Sequence, residues 1–161
     1  MTDSTPKIGF RQLPLALKLV VIWLGLLGFF DVIEFAIEIV GYAKDHFLNF
    51  GSLITAIIFF ALAVGLINKR DSARNWTIIL TGFGLLFVAV LLLLVFIFPP
   101  EASYGLIFLN IDTPLSKIQA VGLLFLSAVL EVTVLYILLR PSTKALFTPP
   151  PAPVPTPQEP T

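Results

Sequence analysis

Residues 76–98 read "WTIILTGFGLLFVAVLLLLVFIF": 23 residues from Trp76 to Phe98 without a charge. At ~1.5 Å of rise per residue, a helix of this length crosses the ~30 Å hydrocarbon layer of a bilayer. The rest of the chain agrees. Of its 161 residues, 57% are hydrophobic and 12% charged. A soluble domain of this size has no core large enough to hide so much apolar surface. The reading is an integral membrane protein, all-α, with its backbone groups paired inside helices because lipid offers no partners.

Three further apolar runs flank this one, which makes the expected fold a four-transmembrane-helix bundle. The expected spans are 14–41, 50–67, 76–98 and 114–140, within a membrane domain of 14–147. Pro14 suits a first helical turn, and Thr113-Pro114 reads as a cap followed by proline. Asn49 or Ser52 is a candidate cap for the second span. Pro99-Pro100 and Pro141 read as stops. Lys7 and Arg11 before the run from Leu15 resemble a signal peptide, but the run continues to Val40 without a small-residue cleavage pattern, so it reads as an uncleaved span. The segment 99–113 reads as an interfacial loop with an apolar centre at Gly105–Ile111. Residues 148–161, "TPPPAPVPTPQEPT", read as an extended, disordered tail.

Charge placement gives the orientation. Lys7, Arg11, Lys18, Lys69, Arg70, Arg74, Arg140 and Lys144 fall on one side of this layout, and only Lys44 and Lys117 on the other. Basic residues in short loops stay cytoplasmic, so both ends are expected there, N-in/C-in. Residues 1–13 are then a cytoplasmic N-terminus. Lys69, Arg70, Arg74 and Arg140 are candidate headgroup-binding bases.

Acids inside the spans are the candidate site. Asp31, Glu34 and Glu38 fall within an arc of about 60° on one helix face. Glu131 lies about 12 Å from the helix end at Leu139. A carboxylate at mid-bilayer costs roughly 2.5–3.5 kcal/mol, which a proton or a base relieves. No Lys or Arg stands at the depth of Glu131, so it is expected to hold a proton, with Ser127, Thr77 or Thr81 as hydrogen-bond partners. Asp31, Glu34 and Glu131 form the candidate intramembrane polar or proton site, and Glu38, Lys44 and Lys117 an outer vestibule.

No catalytic residues are expected. The spans hold no Ser/His pair, and the chain no HExxH, P-loop or dinucleotide fingerprint. The chain has no cysteine, which excludes disulfides and thiolate chemistry. His46 is a lone histidine without ligand spacing, so neither metal nor cofactor is expected. Zero net charge gives no sign of a nucleic-acid partner. Small residues, including Gly25, Gly28, Gly65 and Gly84, are expected to let helices approach within the bundle.

The layout Gly65, Leu66, Arg70, Arg74, Trp76 after a span, and the closing "LLRPSTKALF" (138–147), resemble small four-span bacterial membrane proteins. That resemblance implies a bundle in a bacterial inner (plasma) membrane and carries no activity or site residues. The expected function is a small non-enzymatic accessory or structural bundle, with membrane lipid and other membrane proteins as partners. The alternative is a small proton- or cation-coupled channel or transporter that uses the acids.

Overall fold

The computed structural model describes residues 10–45, 50–97, 104–108 and 111–148. Residues 1–9 of the expected N-terminal segment 1–13, His46 and the candidate cap Asn49, and the proline-rich tail beyond Thr148 lie outside them. The described residues form five α-helices and one two-stranded hairpin. In chain order these are α1 (Leu15–Asp45), α2 (Gly51–Ile67), α3 (Asp71–Ile97), β1 (Tyr104–Phe108), β2 (Ile111–Leu115), α4 (Lys117–Leu139) and α5 (Pro141–Phe147). Three of them (α1, α3 and α4) are long and apolar enough to cross a membrane, and α2 is a shorter apolar helix.

Helix α1 starts one residue later than expected: Pro14 stands outside, and its carbonyl accepts from the Lys18 amide at 3.0 Å. α1 then pairs with α2. Gly28 makes this close: a Cβ there would meet the Ala56 carbonyl at 3.3 Å and the Phe60 ring at 3.2 Å. Further along, Phe35 meets Phe50 with ring centroids 5.9 Å apart. The two helices are therefore antiparallel.

The connection from α2 to α3 is three residues, Asn68–Arg70. The Arg70 amide donates back to the Gly65 carbonyl (2.9 Å) and the Lys69 amide to that of Leu66 (3.1 Å). These are the two bonds of a Schellman motif, which needs a left-handed residue between them. Lys69 supplies it with φ 52°. Gly65 is required for a second reason: a Cβ there would run into the Cβ of Ala73. α3 begins at Asp71 rather than at the expected Trp76. An acid in a first turn suits the helix dipole.

Segment 99–113, expected to be a loop, contains β1, and β2 extends past it. The strands are antiparallel, with Tyr104 opposite Leu115 and Phe108 opposite Ile111. β2 takes in Thr113-Pro114, so these residues do not begin α4. Ser116 does. Its hydroxyl accepts from the Gln119 amide (3.3 Å), and the Gln119 side chain accepts from the Ser116 amide (2.9 Å). This is a complete capping box. Pro141, expected as a stop, follows the end of α4 at Leu139 and its C-cap Arg140, and also opens α5.

The packed core lies at one end of the bundle, beside the Asn68–Arg70 turn. Leu17, Val20 and Leu24 of α1, Leu66 of α2, Leu138 of α4 and Phe147 of α5 meet there. Leu66 and Leu138 are fully excluded from solvent. Toward the other end the helices present large apolar side chains outward.

Candidate functional site

Four helices line a partly open cavity of about 290 Å³. Its walls come from matching heights on antiparallel helices. Trp23 and Leu27 on α1 are one turn apart. Thr77, Thr81 and Gly84 on α3 follow i, i+4, i+7 spacing, as do Ser127, Glu131 and Val134 on α4. Thr55 and Phe59 close it from α2. The wall is mostly apolar, with hydroxyls and one carboxyl.

That carboxyl is Glu131, and Gly84 makes its room. A Cβ at position 84 would lie 2.7 Å from Glu131 Oε1. Glu131 Oε2 is buried and has no hydrogen-bond partner among the described residues. The expected bonds to Ser127, Thr77 and Thr81 are not formed. Thr77 Oγ1 donates instead to the Ala73 carbonyl of its own helix at 2.7 Å. Leaving a buried carboxyl oxygen unpaired costs about 1–3 kcal/mol even in its neutral form.

The α1 acids go elsewhere. Glu38 Oε2 accepts from Ser52 Oγ at 3.1 Å, which ties α1 to the start of α2. Ser52 is thus a cross-helix donor; α2 begins after Phe50 without a side-chain cap. Asp31 Oδ2 is buried and unpaired among the described residues, like Glu131. Neither Asp31 nor Glu34 lines the Glu131 cavity. The expected site of Asp31, Glu34 and Glu131 is therefore two places, not one. Of the expected vestibule, Lys117 opens α4 and Lys44 falls in the last turn of α1, while Glu38 is occupied by Ser52.

The four headgroup candidates also divide. Arg70 is exposed, Lys69 half-buried. Arg140 is exposed and lies over the Tyr136 ring, 4.3 Å from its centroid, donating to the Tyr136 hydroxyl at 2.7 Å. Arg74 turns inward, contrary to expectation. Its Nε donates to the Leu138 carbonyl (3.0 Å) and its Nη1 to Asp71 Oδ1 (2.9 Å). A helix leaves its last four carbonyls without partners, and Arg74 satisfies one of them on α4. No group of three or more acids, histidines or cysteines able to hold a metal occurs among the described residues.

Sequence reading missed Trp23, Thr55 and Gly84 as parts of the cavity. The usable signal was the shared spacing of Thr77, Thr81 and Gly84 on one helix face and of Ser127 and Glu131 on another. Comparison with protein-family models, curated proteins and solved structures finds no significant match.

Proposed function

We propose that this chain is a small non-catalytic membrane bundle that works by contacting lipid and other membrane proteins. One observation carries the reading: large apolar side chains stand outward along the helices, among them Phe83, Phe87, Leu93 and Phe96 on α3 and Phe125 on α4. Lipid or an apolar partner is the medium that such a surface requires. In this reading α2 also spans. Its 17 residues give about 25 Å, at the short limit for a crossing, which a slightly thinned bilayer accommodates. Both chain ends then lie on the cytoplasmic side with most of the bases, and the resemblance to small four-span bacterial membrane proteins supports a bacterial inner membrane as its location. Arg70 and Trp76 line a mainly apolar groove of about 390 Å³ between α2 and α3, which supports contact with a lipid headgroup and its chains.

A second reading, a proton- or cation-coupled carrier, draws on the unpaired Glu131 carboxyl in its cavity. The separation of Asp31 from that cavity supports the accessory role over a continuous acidic path.

The native chain has no cysteine, so single cysteines report orientation cleanly. A membrane-impermeant maleimide on intact cells is expected to label His46→Cys and spare Lys69→Cys; labelling of both, or of Lys69→Cys alone, overturns the four-span arrangement. In liposomes the protein is expected to leave proton and cation permeability unchanged. A flux that Glu131→Gln abolishes would replace the accessory reading with the carrier.

A further inference from the structure

We propose that the Glu131 cavity binds a small organic ammonium ion with an apolar body. This goes beyond a contact role and requires no transport. The chemistry of the wall selects the ligand in three steps.

The first step is charge. Glu131 is the one ionisable side chain among the described residues lining the cavity, and its Oε2 is buried without a partner. An unpaired buried carboxyl oxygen gains most from a cationic N–H donor, whose hydrogen bond is charge-assisted. A proton is the competing occupant, and because no other lining group titrates, that competition belongs to Glu131 alone.

The second step is the polarity of the hydroxyls. Thr77 Oγ1 spends its proton on the Ala73 carbonyl. Thr55 Oγ1 donates to the carbonyls of Gly51 (3.2 Å) and Ser52 (3.0 Å). A hydroxyl whose proton is committed to its own helix offers only lone pairs. Thr55 and Thr77 thus present acceptors beside the carboxyl, and the Thr81 and Ser127 hydroxyls, which also line the cavity, can accept as well as donate. An N–H donor suits the carboxyl and all four hydroxyls, whereas an anion would face the Glu131 carboxyl and two hydroxyls with no proton to give.

The third step separates an organic cation from a metal ion. Hard divalent cations take about six or more oxygen ligands. One carboxyl and scattered hydroxyls do not supply them. The remaining wall is apolar, with Trp23 and Phe59 adding aromatic faces, which attract ammonium groups. The volume of about 290 Å³ is at the small end for ligand pockets, so the body is of the order of one ring or a short branched chain.

The probe is 2-phenylethylammonium, compared with 2-phenylethanol, which has nearly the same shape and no charge. The purified protein carries Trp76→Phe, so that Trp23 is the only tryptophan and its fluorescence reports the cavity. A saturable change is expected with the amine, at least about tenfold weaker with the alcohol, and weakened at least about tenfold by Glu131→Gln. Binding of the amine is also expected to strengthen as pH rises, as the competing proton is withdrawn. Equal binding of alcohol and amine overturns the proposal, as does unchanged affinity in Glu131→Gln, or no saturable signal with the amine at millimolar concentration. If Glu131→Gln does not fold, the amine–alcohol comparison in the parent protein decides.

Discussion

The two ends of the bundle are built differently. At the end beside Asn68–Arg70, Leu17, Leu66, Leu138 and Phe147 interlock, a tight turn joins α2 to α3, and Arg74 bonds α3 to the last turn of α4. Toward the other end, the described residues include the close approach of α1 and α2 at Gly28, a pair of aromatic rings and a Ser52–Glu38 bond, while α3 turns phenylalanines outward. One end is held by dense packing and directed polar bonds, whereas the described residues of the other turn many large apolar side chains outward. The cavity lies between them, at the height where the tight packing gives way.

The largest test of this contrast is the same truncation at both ends. Leu66→Ala, which removes a fully buried side chain, is expected to cost about 2–5 kcal/mol. Leu93→Ala, on the outward face of α3, is expected to change stability by less than about 0.5 kcal/mol. Thermal denaturation in one fixed detergent measures both; equal costs would erase the distinction. Next comes Arg74→Ala, expected to cost about 1–3 kcal/mol, because it strands the buried Leu138 carbonyl, while Asp71 is exposed and keeps its bond from Asn75. Arg74→Lys keeps the charge but not the two-sided reach and is expected to recover only part of the loss. A headgroup-facing arginine would instead leave the melting temperature in place and alter lipid dependence.

The third test has the opposite sign. Glu131→Met keeps the bulk and removes the unpaired oxygen, so it is expected to stabilise the ligand-free protein by about 1 kcal/mol. A destabilisation would mean that the carboxyl is structural glue. The smallest effect belongs to Lys69→Gly. Glycine adopts the left-handed conformation without a Cβ penalty, so about 0.5 kcal/mol of stabilisation is expected in the same melt.

The long helices were legible because hydropathy over twenty or so residues is a strong, local signal. Their starts were less so. Capping cues compete within a few residues: Thr113-Pro114 reads as a cap followed by proline, yet the capping box Ser116-x-x-Gln119 begins three residues beyond Thr113. The hairpin was hidden because Tyr104–Phe108 is too short an apolar run to separate strand from loop by period alone. The acids show a different limit. Their shared face on α1 follows from helical geometry, but which neighbour that face meets depends on how the helices are rotated against one another. Arg74 shows the same thing: nothing around position 74 announces a carbonyl at position 138.

That bond has a consequence for biogenesis. Its two residues are 64 positions apart. The nascent chain delivers the guanidinium long before the ribosome has translated the codon for Leu138. Until then Asp71 and Asn75 are the local partners that occupy it. The latch between the second helical pair closes only after synthesis of α4: a product terminated before residue 138 has α1, α2 and α3 but lacks the bond that ties α3 to the last turn of α4.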